Sequence, residues 1–313
     1  MSDGDARGHA LPLGPGREFD VVRDFLRRWG TAARGIGGDC AELELPPGQR
    51  LVVSTDSSVE GVHFRREWLA PREIGYRAAA AALSDLAAAA AEPLGLLLAL
   101  TVPDGWRADA GALADGVAKA ALAAGAPIVG GDLSRGGELS LTVTVLGAAA
   151  HPLRRDGARA GDALFVTGAL GGPGAAVRAW VGGGVPAAEH RERFAHPVPR
   201  LAEARWLRAH GATAAVDLSD GLAADAAHLA AASGVRLRLD VDAVPCVAGV
   251  RVEEALASGE EYELLVAAPA RLDVAAFARA FGLPLTRVGR VEAGAPGVAA
   301  RVDLPHGHDH FSR

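Results

Sequence analysis

Apolar residues at Phe19, Val22, Phe25, Leu26 and Trp29 recur at helical spacing and predict an amphipathic helix over 19–29. A turn, Gly35-Ile36-Gly37-Gly38-Asp39, follows it. The apolar run Leu51-Val52-Val53 then leads into Ser54-Thr55-Asp56, which predicts a strand with a polar C-terminal end. Residues 72–91 predict a long alanine-dominated helix interrupted by Leu83, Ser84, Asp85 and Leu86. A strand over 94–102, a helix over 108–124 and a strand over 128–132 come next, and alternation over 139–146 predicts an antiparallel strand. The pattern breaks at 148–161, where Pro152 and several charged residues interrupt it. A domain boundary is expected there, dividing the chain into a tail and helix (1–34), an N-terminal domain (35–150) and a C-terminal domain (151–313).

The second part restarts with a strand over 163–167, a glycine loop over 168–174 and a helix after it. A strand over 214–216 enters Asp217-Leu218-Ser219-Asp220-Gly221. A helix to about residue 232 and a strand over 235–241 complete the legible pattern. Strands and helices alternate in both parts, so the fold class expected is α/β (α+β) in two domains.

Composition narrows the chemistry. The 313 residues carry a formal net charge of -6, which argues against a nucleic-acid binder. Residues 1–16 lack the apolar core of a signal peptide. The most apolar stretch, 86–100, is broken by Glu92, Pro93 and Gly95, so no membrane association is expected. The two cysteines, Cys40 and Cys246, form no metal-binding spacing, and a cytoplasmic enzyme is the expectation. Lys119 is the only lysine among 32 basic residues. Both the P-loop and the protein-kinase phosphate site need a lysine in a particular place. Any ATP chemistry must therefore meet phosphate charge with metal ions, arginines and backbone amides.

Three apolar strands are read as running into aspartate, at Asp56, Asp132 and Asp217, with Asp220 close behind; Asp39 lies in a glycine turn and Asp85 within an apolar helix. Any one of these is accounted for as a helix cap or an Asx turn. Asp85 is harder to explain so, because a carboxylate among alanines needs a partner or a metal. Converging carboxylates need cations, and hard oxygen ligands select Mg²⁺ or Ca²⁺. The residues alone support a Mg²⁺-nucleotide enzyme.

The wording of the segments goes further. Ile36-Gly37-Gly38-Asp39-Cys40-Ala41, Ser54-Thr55-Asp56 and Val59-Glu60-Gly61-Val62-His63-Phe64 resemble the opening motifs of the thiamine-monophosphate kinases. Ala82-Leu83-Ser84-Asp85-Leu86-Ala87, Gly130-Gly131-Asp132, Asp217-Leu218-Ser219-Asp220-Gly221-Leu222, Gly259-Glu260-Glu261-Tyr262-Glu263-Leu264 and Gly307-His308-Asp309-His310-Phe311 continue that resemblance in order and spacing. It implies a two-domain fold like that of aminoimidazole-ribonucleotide synthetase (PurM-like). The N-terminal domain would bind ATP and Mg²⁺ and dimerise through its sheet, with active sites near the dimer interface. The implied reaction passes the ATP γ-phosphoryl to thiamine monophosphate, giving thiamine diphosphate.

Carried over by position, the resemblance implies that Asp39, Ser54, Thr55, Asp56, Asp85, Asp132, Asp217 and Asp220 are magnesium ligands. It assigns Gly131, Asp132, Arg155 and Ser219 to ATP, and His63, Glu260 and Leu304 to the acceptor, with no general base. Leu304 stands where the family carries an aromatic residue, and Ser258-Gly259-Glu260-Glu261 where it carries Gly-Gly-Glu-Asp. Two alternatives stand beside this reading: a related ATP-dependent enzyme that activates an amide, formyl or carbamoyl oxygen, and a non-catalytic nucleotide-binding homologue. Blander readings make His63 a turn histidine and 260–263 a solvated helix start; His306, His308 and His310 read equally as a metal cluster or as a flexible tail.

Overall fold

The structure, a computed structural model, describes residue 13 and residues 15–305. Residues 1–12, the histidines His306, His308 and His310 and the motif over 307–311 lie outside the described residues. The chain forms two compact units, Met1–Leu86 with Glu92–Ala150, and Ala87–Ala91 with His151–Arg313.

In the first unit α1 (Arg17–Trp29) precedes β1 (Arg50–Val59), α2 (Pro71–Ala88), β2 (Glu92–Val102), α3 (Ala110–Ala124), β3 (Ile128–Arg135) and β4 (Ser140–Ala149). The sheet order is β1-β4-β2-β3, antiparallel except for the β2–β3 pair, which α3 connects as a βαβ crossover. The alternation read in β4 is the cause of its placement. Leu141, Val143 and Val145 are fully buried, each stabilising the fold by roughly 2 kcal/mol. Thr142, Thr144 and Leu146 face the other way, in register with Ser57, Thr55 and Val53 of β1. Leu51 and Val53 on that second face are more than half exposed.

Two expected strand ends are corrected. β1 continues past Asp56 to Val59, and β3 past Asp132 to Arg135, because each keeps its ladder partner: Ser57 pairs with Thr142, and Ser134 with Thr101. Only Asp217 ends its strand. The helix expected over 72–91 stops at Ala88, and Ala90 takes a left-handed φ of 52° while its N–H reaches the Ala87 carbonyl.

The second unit contains β5 (Asp162–Thr167), α4 (Gly172–Val181), α5 (Ala188–Ala195), α6 (Leu201–Ala209), β6 (Ala214–Asp217), α7 (Leu222–Ser233), β7 (Arg236–Leu239), α8 (Val252–Leu256), β8 (Leu264–Pro269), α9 (Val274–Phe281), β9 (Leu285–Glu292) and β10 (Gly297–Ala299). Its sheet order is β10-β7-β9-β5-β8-β6, parallel only between β10 and β7. The core lies where β5, β6 and β8 meet α7, with Leu164, Val216, Leu229 and Leu265 fully enclosed. Among the described residues no helix is long and apolar enough to cross a membrane.

Candidate active site

β1 sends alternate side chains to opposite faces of the first sheet. Ser54 and Asp56 share a face with buried Val145 and Val143, and the Ser54 hydroxyl donates to Asp85 Oδ2 on α2 at 2.5 Å. Asp85 is therefore partnered, as its apolar helix demanded. Thr55 points to the open face, its hydroxyl 3.0 Å from that of Thr144. Asp132 stands level with these residues, through the register Asp132–Ala99–Thr142–Ser57. It sits on β3, however, and β1 and β3 are opposite edges of the sheet. Three strand spacings, about 14 Å, separate them. One chain's sheet does not bring Asp56 and Asp132 together.

Asp39 and Asp132 line one cavity of ≈ 270 Å³ with Gly37, Gly38 and Gly131 and the apolar side chains of Phe19, Phe25 and Leu98. Gly131 is required there. A Cβ at its φ of 156° would lie 1.9 Å from the Leu98 carbonyl oxygen, where β3 leans onto β2. His63 closes a tight turn in which Gly61 N–H reaches the Phe64 carbonyl at 2.8 Å. Its Nδ1 accepts the Val59 N–H at 3.1 Å, so the proton of the neutral ring stands on Nε2. Trp106 steadies that turn by donating to Glu60 at 2.8 Å.

In the second unit Asp217 is buried at the end of β6, and Ser219 and Asp220 form the turn into α7. The sequence reading missed Asp225. Its carboxylate accepts the Asp220 N–H at 3.1 Å; burial pushes it up to about 7 against the pull of that N–H, the charges of Asp220 and Asp217 add to the rise, and Arg155 opposes it. The signal was present, since a carboxylate amid alanines is the same anomaly that marked Asp85. Arg155 is exposed, with its carbonyl accepting the Ser233 hydroxyl. Glu260 takes a left-handed φ of 63°, and its Oε2 accepts the Tyr262 hydroxyl at 2.6 Å. Leu304 packs against the core of this unit.

The bland reading of 260–263 as a solvated helix start is wrong. The segment is not helical, and Glu261 and Glu263 are buried. Glu263 receives two hydrogen bonds from Arg200 and one from the Thr167 hydroxyl. The glycine loop over 168–174 is the expected tight turn, from β5 into α4.

Every expected metal ligand offers oxygen, the donor set of a hard cation. Among the described residues no three His, Cys, Asp or Glu side chains gather closely enough to hold a metal alone. Mg²⁺ usually takes one or two carboxylates and completes its shell with water and phosphate oxygens. The Asp39–Asp132 pair on one cavity and the Ser54–Asp85 pair fit that habit.

The chain matches the models for AIR synthase related protein, the N-terminal domain over residues 37–149 and the C-terminal domain over residues 159–301. Thiamine-monophosphate kinases of Salmonella typhimurium and Escherichia coli (strain K12) are 37% and 36% identical to it, with 95% of this chain and 96% of each relative covered. A crystal structure of thiamine-monophosphate kinase from Stenotrophomonas maltophilia K279a matches with a TM-score of 0.80 at 35% identity, covering 95% of this chain and 100% of that one. AaThiL complexed with AMPPCP and TMP matches at 0.78 and 29% identity, covering 87% of this chain and 90% of that one. Hydrogenase maturation protein HypE in complex with ATP matches at 0.76 but only 20% identity, covering 96% of each chain, and shares the fold alone.

Proposed function

The chain belongs to the thiamine-monophosphate kinase family, and from that premise we propose that it transfers the ATP γ-phosphoryl to the phosphate of thiamine monophosphate, giving thiamine diphosphate and ADP. The observation that carries this reading is the near-full-length match to named kinases, in a chain that carries Asp39, Asp56, Asp85, Asp132, Asp217 and Asp220. Asp39, Ser54, Thr55, Asp56, Asp85, Asp132, Asp217 and Asp220 are the residues that would hold Mg²⁺. When bound, the metal neutralises phosphate charge and orients the phosphates for in-line displacement. That division of labour fits a chain whose one lysine lies over the Tyr76 ring.

The chain's own part is positioning and exclusion of bulk. Gly131 lets backbone approach the phosphates beside Asp132, with Ser219 and Arg155 as further nucleotide contacts. His63, held in one tautomer by Val59, presents an Nε2–H as donor for an acceptor oxygen. Glu260 and Leu304 complete the proposed acceptor contacts. No general base is needed, because a phosphate monoester oxygen is already a competent nucleophile at neutral pH. ATP as donor fits a cytoplasmic enzyme.

We further propose a homodimer. Asp56 and Asp132 sit on opposite edges of one sheet, and the half-exposed Leu51 and Val53 lie on its open face. A second copy would cover that face and set the β1 edge of one chain by the β3 edge of the other. Sedimentation should then give twice the 31.9 kDa chain mass. A monomer at assay concentration would remove this arrangement.

The activity is tested by incubating purified protein with ATP and Mg²⁺, with and without thiamine monophosphate. ADP release that depends on thiamine monophosphate, with thiamine diphosphate in equal amount, is the expected result. ATP binding without turnover would mean that the acceptor is a different molecule.

A further inference from the structure

Residues 258–264 tie together two loops of the second unit. On one side the backbone donates to the turn that carries Ser219. Glu260 N–H reaches the Ser219 carbonyl at 2.7 Å, and Glu261 and Tyr262 N–H reach that of Leu218 at 3.0 Å. Gly259 presses so closely on this turn that a Cβ there would lie 2.6 Å from the Ser219 oxygen. On the other side, side chains hold the loop between β5 and α4. Ser258 Oγ accepts the Gly174 N–H at 3.0 Å, and Glu261 Oε1 accepts the Gly171 N–H at 2.5 Å.

Glu261 sits between two strained residues. Glu260 and Tyr262 both take left-handed conformations, with φ of 63° and 53°, which side-chain-bearing residues keep only where their surroundings enforce them. The Glu261 side chain is 7% exposed, and its Oε2 is buried without a hydrogen-bond partner. Burial pushes the carboxyl up to about 8, against the pull of Ser258 and the Gly171 N–H. A buried polar group so incompletely satisfied is costly, and the proposed chemistry makes no use of it.

We infer that Glu261 is a positioning residue: through Gly171 it latches the glycine loop to the 258–264 segment, and so fixes the backbone that presents Glu260 and Ser219. The inference rests on the acceptor and nucleotide roles proposed above for those two residues. The latch needs a carbonyl-type acceptor at Oε1 and does not need a negative charge. Glutamine can therefore replace glutamate, and alanine cannot.

The test compares Glu261→Ala, Glu261→Gln and Glu260→Ala in steady-state kinetics, with hydrogen exchange over 168–174 and 217–220. Leu237→Ala, a core truncation in the same unit, controls for lost stability alone. In Glu261→Ala the KM for thiamine monophosphate should rise about tenfold, the scale of one well-placed hydrogen bond, with a smaller change in kcat. Exchange should quicken in both loops, Glu261→Gln should restore both readouts, and Leu237→Ala should lower Tm with KM unmoved. An unchanged KM in Glu261→Ala, where Glu260→Ala raises it, overturns the latch. So does a Glu261→Gln variant that behaves like alanine. If Glu260→Ala itself leaves KM unchanged, the acceptor role of Glu260 fails and the positioning role falls with it, whatever the exchange data give.

Discussion

Asp56→Asn and Asp132→Asn should each lower kcat by at least about a hundredfold, the scale on which removing one electrostatic stabiliser of a transition state is felt. The amide keeps the shape of the carboxylate, and both side chains are exposed, so Tm should scarcely move. On the proposed reading, what is lost is the charge that would hold cations against two phosphate chains. The sheet order adds a sharper expectation. If the β1 edge of one chain completes a site with the β3 edge of another, each inactive variant carries the half that the other lacks. Random pairing of co-expressed chains makes half of the dimers mixed, and each mixed dimer has one intact site of two. About one quarter of wild-type activity should therefore return. Near wild-type kcat in both single variants would remove the metal-carboxylate reading. Inactive singles without recovery would remove the arrangement in which two chains share a site.

The sequence made these carboxylates legible because apolar runs that turn polar are conspicuous, and because each falls within a recognisable motif. It did not reveal which edge of the sheet each strand would occupy. β1 and β3 look alike as apolar runs ending in Asp, and only long-range pairing through β4 and β2 sets them apart. Their extension beyond Asp56 and Asp132 was hidden for the same reason: Ser57 and Ser134 read as loop until a ladder partner is supplied. β8 went unread because its residues are buried on both faces and show no alternation. Leu304, read as an acceptor contact by resemblance, is partly buried and also packs against the core of its unit. The largest omission was Glu261 and Glu263. Two acidic residues in a run of four polar ones read as surface, and nothing local announces that Arg200, 63 residues away, lies against one of them.

Breaking that ion pair from one side should destabilise the second unit strongly. The Glu263 side chain is 3% exposed and that of Arg200 16%, and Nε and Nη2 of the guanidinium both reach the carboxylate, Nε at 2.8 Å. Burial works against the Arg200 charge, yet the hydrogen bond and charge of Glu263 outweigh it and hold the guanidinium above its usual range. Arg200→Met removes the cation and leaves a carboxylate enclosed with only the Thr167 hydroxyl against it. Breaking a buried pair in this one-sided way typically costs about 3–5 kcal/mol. For a unit of this size that corresponds to a fall in Tm of roughly 10 °C. Replacing both partners should cost less than replacing one, since Arg200→Met with Glu263→Gln removes the orphaned charge and keeps an acceptor for Thr167. The measurement is a double-mutant cycle in thermal and urea unfolding. Recovery of a kcal/mol or more in the double variant is the expected result. An Arg200→Met protein as stable as the wild type would show that water already screens Glu263. The carboxylate would then carry no structural debt to the arginine.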